Sequence, residues 1–184
     1  MRNRNIKRIA AGGVFAAIII LLTTLVSVPM PGGHGFINLG DAGVLTAAYL
    51  LGGALGASCA GLASALSDVL LGWSIYAPAT FLIKGACALL AYYLLKHVRV
   101  GHYYLAFIPA ALIVPLGYFA YESLLYGLAA AVPNVILNLV QCVTGALVAQ
   151  ALALLIERTG ILKQLKIETI HGKSGGTEHG NEQK

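Results

Sequence analysis

The 184-residue chain is 58% hydrophobic and only 10% charged, whereas an ordinary soluble domain carries about 25% charged residues. That composition excludes a water-soluble globule, and apolar runs of about 20 residues suit membrane-spanning helices rather than the short alternating segments of a barrel. The net charge of +5 does not point to nucleic acid: Arg2, Arg4, Lys7 and Arg8 precede the first apolar run, and most other basic residues sit in one turn and the tail, as in flanks that orient membrane proteins.

Six helices are predicted. The first runs from about Lys7 to Val28 and is ended by Pro29 and Pro31, which cannot continue a helix. Its apolar part is longer than a signal-peptide core and is followed by a poor cleavage site, so it reads as a span. Gly12 and Ala16, with Gly13 and Ala17 beside them, form a small-xxx-small face that lets a second helix approach closely, inside the bundle or from another protein. A Pro/Gly-rich loop follows from Pro29 to Asn38 and carries His34, Phe36 and Asn38. It is expected to be long and flexible enough to act as a lid.

Helix two is predicted from about Leu39 to Gly52, and helix three from Ala54 to Leu71. Both are rich in glycine and alanine and short for spans. Helix four covers about Tyr76 to His97, and helix five covers Tyr103 to Tyr126, with a kink expected from Pro109 and Pro115. Helix six runs from about Ala131 to Thr159, with Pro133 in its first turn, where a missing N–H costs little. The chain is therefore expected to be an all-α, integral membrane six-helix bundle over residues 1–166, with a polar, disordered tail over 167–184. Cys59, Cys87 and Cys142 lie far apart in apolar helices and read as small buried hydrophobes rather than a disulfide framework or a metal site.

The loops set an expected orientation. Nearly all positive charge lies in the N-terminus, the Lys96–Arg99 turn and the segment from Arg158 to Lys166, whereas the 27–39, 72–75 and 127–131 loops have none. Six spans place the basic segments on one side, which the positive-inside rule makes cytoplasmic, with both termini there.

Polar residues inside the spans are the candidates for function. Lys84 is the only Lys or Arg between Arg8 and Lys96, and a cation in a span costs at least ~2.5 kcal/mol unless it faces protein, a counter-charge or water. Tyr76, Thr80 and Lys84 recur every four residues on one helix face. Asp41, Asp68, Glu122, Asn134, Asn138 and Gln141 all fall toward the outer ends of their helices, leaving an inner half of mostly Leu, Ala, Val and Ile. Asp41 reads equally as a charge at a helix N-terminus, Asn134 as a cap, and Asp68 or Glu122 as the ion-pair partner of Lys84. Tyr118, Tyr121, Tyr126 and Trp73 add aromatic walls or an interfacial belt. The arrangement suggests a polar cup open outward and closed below, suited to a small planar ligand.

The segments GFINLGD (Gly35 to Asp41) and YAPATFLIKG (Tyr76 to Gly85), with six short helices and the small-residue face of the first, resemble the substrate-binding S components of energy-coupling factor (ECF) transporters. Within that family the resemblance is to the riboflavin-type branch, which includes hydroxymethylpyrimidine and pyridoxine transporters. It covers about residues 7–160. It implies a vitamin-capturing subunit with no enzyme activity and no cofactor, docked through Gly12, Gly13, Ala16 and Ala17 on a transmembrane coupling protein carrying two ATP-binding-cassette ATPases. The resemblance further implies transport by toppling of the loaded subunit in the plasma membrane. The expected ligand contacts are Lys84, Glu122, Asn134, Asn138 and Gln141, with Tyr76, Tyr118, Tyr121, His34 and Asn38 as stacking or lid residues. Two rival readings are a self-sufficient secondary transporter and an intramembrane enzyme using Asp68 and Glu122 as acid and base. The first lacks an evident inverted repeat, and the second lacks a nucleophile–base pair.

Overall fold

The computed structural model describes residues 2–29 and 35–159; the predicted tail over 167–184 and His34 lie outside them. Within the described residues the fold is helical apart from one short hairpin. Helices α1 (Arg2–Leu25), α2 (Gly40–Leu51), α3 (Gly53–Leu70), α4 (Ala77–Leu95), α5 (Tyr104–Ala111), α6 (Ile113–Tyr126) and α7 (Leu128–Thr159) follow in order, with strands β1 (Ser27–Pro29) and β2 (Phe36–Asn38) between α1 and α2. Only Leu112 separates α5 from α6, and together they make one apolar stretch of 23 residues. The chain thus builds a six-helix bundle whose fifth member is broken in two. Pro109 lies inside α5, and its missing N–H weakens the helix near the break.

Helices α3, α4, α5–α6 and α7 are long and apolar enough to cross a membrane. The 12 residues of α2 rise about 18 Å, well short of a ~30 Å hydrocarbon core. The reason is its position: α2 packs on α1, α3, α4 and α7, and all its residues but Leu50 are buried. It meets protein on every side, so it does not have to match the lipid thickness. Gly52, at φ 64°, and Gly53, at φ 47°, reverse the chain between α2 and α3 in a left-handed conformation that favours glycine.

Close approach of helices depends on residues without side chains. At Gly61 of α3 an added Cβ would lie 2.7 Å from the Phe81 carbonyl oxygen of α4, and at Gly145 of α7 it would lie 2.7 Å from Asp41 Cβ. The core is correspondingly small-grained, with Ala60, Ala63, Ala88, Ala91, Ala146, Ala149 and Ala153 around Leu45, Tyr49, Tyr103 and Phe107. Cys59, Cys87 and Cys142 are buried free thiols, and Cys59 Sγ donates to the Gly12 carbonyl across α1 and α3 at 3.1 Å.

The predicted loop after helix one is partly structured. Its ends pair as an antiparallel ribbon that also takes in Ser27 and Val28, expected to close helix one, because α1 stops at Leu25; Ser27 lies opposite Asn38 and Pro29 opposite Phe36. Three-residue strands with proline at one end show no alternation, so the pairing leaves no pattern in the sequence. The predicted small-residue face of α1 also divides. Gly12 is buried against Leu55 and Ala16 packs on the core, whereas Gly13 has no atom within 4 Å of an added Cβ and Ala17 is exposed. The 100° turn between successive residues sends the two pairs to different surroundings.

Candidate ligand-binding site

The buried polar groups gather at the end of the bundle that holds the hairpin, the Trp73 turn and the α6–α7 junction. In α4 the buried stripe runs through Tyr76, Thr80, Lys84, Cys87, Ala88 and Ala91: polar in its first two turns, apolar below. In α7 the same change occurs, from Asn134, Asn138 and Gln141 to Gly145, Ala146, Ala149 and Ala153. The 3.6-residue period places each stripe on the inward face, and the order of residue types along it makes a polar chamber above an apolar floor.

Lys84 is paired with Asp41 of α2, with 3% and 0% of the two residues exposed. The other Asp41 oxygen accepts from Gln141 Nε2 at 2.7 Å. Gln141 Oε1 in turn accepts from the Asn38 backbone N–H at 2.8 Å, and Asn38 Oδ1 accepts from the Gly40 N–H at 2.8 Å. One network therefore links α4, α2, α7 and the root of the hairpin. It answers the cost of a cation inside a span with a counter-charge and satisfied hydrogen bonds. This corrects the expected partners: Asp41 holds Lys84, in place of Asp68 or Glu122. It also fixes Asn38, so the end of the predicted flexible lid is tied down by Gln141.

A second group centres on Glu122 of α6. Its Oε2 accepts from Asn134 Nδ2 at 2.9 Å, and its Oε1 from the Tyr76 hydroxyl at 3.4 Å. Thr80 and Tyr118 share a hydrogen bond of 2.8 Å. The rings of Trp73, Tyr118 and Tyr121 surround Tyr76 with centroids 5.9, 6.2 and 5.7 Å away, and Phe36 leans on Trp73 at 6.4 Å. Tilted and edge-on contacts of this kind hold the aromatic wall in place.

Between the two groups lies a cavity of about 450 Å³, its open mouth included, lined by Phe36, Asn38, Trp73, Tyr76, Thr80, Lys84, Tyr118, Glu122 and Asn138 with Thr23, Gly35, Ser64 and Asp68. Of the residues expected to contact a ligand, Lys84, Glu122, Asn138, Tyr76, Tyr118 and Asn38 reach it. Asn134, Gln141 and Tyr121 stand behind it: the first two hold Glu122 and Asp41, and the Tyr121 hydroxyl donates to the Ile75 carbonyl. Sequence reasoning missed Thr23 and Ser64. Both are small polar residues on buried helix faces, and Ser64 lies one turn before Asp68, a spacing that marks the α3 face turned to the cavity. The inner half, expected to be mostly Leu, Ala, Val and Ile, also holds one polar group: Tyr49 and Tyr103 both donate to Glu157 Oε1 near the other end of α7.

The chain matches the family of ECF-type riboflavin transporter S components over residues 3–158. It is 34% identical over 163 residues to the thiamine precursor transporter HmpT of Lactococcus lactis subsp. cremoris, covering 88% of this chain and 95% of that one. An uncharacterised protein of Pyrococcus woesei is 29% identical over 141 residues, 76% of this chain and 95% of its own. The solved structure of the S component of a bacterial ECF transporter superposes with a TM-score of 0.66 at 21% identity, over 90% of this chain and 99% of that one, which shows the common fold. With the match spanning nearly the whole bundle, this protein belongs to the ECF-type riboflavin transporter S component family: it is a membrane vitamin-transport subunit, not an enzyme, and works with an energy-coupling module.

Proposed function

We propose that the protein captures a single-ring vitamin precursor, hydroxymethylpyrimidine or a pyridoxine-like pyridine, in the cavity between Trp73, Lys84 and Asn138. The observation that carries this reading is the lining of the cavity: aromatic walls with a few fixed polar groups, the combination that small-ligand sites use to hold and orient a ring. The 34% identity to a thiamine precursor transporter supports the pyrimidine. Riboflavin, with three fused rings, requires a larger cup than a single ring does.

In this reading Asn138 and Glu122 bond the ring's edge, Tyr76 and Tyr118 flank its faces, and Phe36 and Asn38 close the mouth. Lys84, neutralised by Asp41, shapes one wall rather than binding an anion. The cavity end of the bundle faces outward and both termini face the cytoplasm of a plasma membrane, as the basic segments require. The exposed face of α1 carrying Gly13 and Ala17 meets the coupling protein, which works with two ATP-binding-cassette ATPases, whereas Gly12 and Ala16 serve internal packing.

Trp73 is the single tryptophan of the chain and lines the cavity, so intrinsic fluorescence reads occupancy directly. Titration of the purified protein with hydroxymethylpyrimidine, pyridoxine and riboflavin is expected to change Trp73 emission saturably for a single-ring compound. Asn138→Ala is expected to weaken that binding roughly 10-fold, as for a lost hydrogen bond at a buried site. Tight riboflavin binding with no response to either single-ring compound would overturn the assignment.

A further inference from the structure

Of the fully enclosed polar atoms around the cavity, one is left without a partner. Among the described residues, the one buried side-chain nitrogen or oxygen with no partner is Asp68 Oδ2. Asp68 is 5% exposed and lines the cavity from α3. The Thr80 hydroxyl is shared between the Asp68 side chain and Tyr118, while the Lys84 ammonium and the Gln141 amide are held by Asp41, and the Asn134 amide and Tyr76 hydroxyl by Glu122.

The stretch of α3 that carries this carboxylate is itself held in place. Its backbone carbonyl accepts from the Trp73 N–H at 2.7 Å, which closes the end of α3. About two helical turns below, Gly61 presses α3 against the Phe81 carbonyl of α4. Native structures leave few buried polar atoms unpartnered, and a fixed, unfilled acceptor facing a ligand cavity is a site for a donor that the ligand brings.

Resting on the single-ring reading above, we propose that Asp68 Oδ2 accepts a hydrogen bond from an exocyclic amino N–H on the ring, so that the transporter selects amino-substituted heterocycles over counterparts with a carbonyl oxygen at that position. Asp68 is thereby a specificity-determining residue. A carbonyl oxygen placed there sets two acceptors against each other with no proton between them. An amino group completes the network, and one that is cationic does so most strongly because the acceptor is a carboxylate. Selectivity of this kind is large because the mismatched ligand leaves a buried polar group unpaired.

The test compares two probes on the full-length purified protein, with Trp73 fluorescence and calorimetry as readouts. One probe is amino-hydroxymethylpyrimidine, and the other is the pyrimidinone in which a carbonyl oxygen replaces the amino group. The wild type is expected to prefer the amino compound by roughly 10- to 150-fold, the range for a hydrogen bond to a charged group. Asp68→Asn keeps the shape while offering an N–H, so it is expected to bind the amino compound more weakly, the pyrimidinone more tightly, and to lose most of the preference. Asp68→Ser, smaller and neutral, is expected to lose the preference without gaining the pyrimidinone. Helical circular dichroism and melting of each variant establish that it is folded. If the wild type binds both compounds equally, or the folded Asp68→Asn protein keeps the full preference, the role of Asp68 is refuted while the single-ring reading stands. If the wild type binds neither compound but takes riboflavin, the single-ring reading fails and the proposal with it.

Discussion

Replacing Asp41 by Ala tests the central electrostatic argument. Asp41 is wholly enclosed, one oxygen paired with Lys84 and the other accepting from Gln141. Its removal leaves an ammonium buried in the bundle without a counter-charge, a change that costs about 3–5 kcal/mol where buried pairs have been broken. At about 2–4 °C per kcal/mol for a chain of this size, the melting midpoint should fall by roughly 6–20 °C. The control is the double variant Asp41→Leu with Lys84→Met, which replaces both charges by apolar groups of similar volume. Because neither charge then remains to be desolvated, it should recover more than half of the lost stability. It should still lose ligand affinity, since Lys84 lines the cavity. Melting is followed by helical circular dichroism of the purified protein in detergent. If Asp41→Ala melts within about 2 °C of the wild type, or the double variant is no more stable than the single, the pair does not hold the site together.

Three further predictions follow from packing. Gly61→Ala brings a methyl group to 2.7 Å from the Phe81 backbone oxygen, so α3 and α4 must separate, with an expected loss of about 1–3 kcal/mol in melting experiments. Gly13→Leu meets open space and should leave the isolated subunit within about 0.5 kcal/mol of wild type while abolishing vitamin uptake by cells; Gly12→Leu, wedged against Leu55, should lower the melting point of the subunit itself. Equal effects of the two on melting would remove the distinction between docking and packing faces. Glu157→Ala deletes the acceptor shared by Tyr49 and Tyr103 and should cost about 1–3 kcal/mol, with Tyr49→Phe costing less because the carboxylate keeps its other donor.

The helices were legible because their signals are local. Apolar runs marked the spans, and the boundaries predicted for helices two to four fall within about two residues of α2, α3 and α4, whereas the first helix stops at Leu25, before the predicted Val28. Residues such as Lys84, Glu122 and Asn138 were legible as site candidates because an ionisable or amide group in a span needs a polar setting. Thr23 and Ser64 were not, since a small hydroxyl can bond its own helix backbone and so raises no such demand.

What the sequence by itself determined is the class of environment and the contents of each helix face: a membrane bundle, with polar groups toward one end of α4 and α7 and apolar groups toward the other. The tertiary structure decided which faces meet. It matched Lys84 with Asp41 across 43 positions of chain, enclosed α2 on all sides, paired two three-residue strands, and separated Gly12 from Gly13. The physical reason is that helical periodicity fixes the direction of a side chain relative to its own axis, whereas partners on other helices depend on how those axes cross, and that is set by close glycine and alanine contacts summed over the whole bundle.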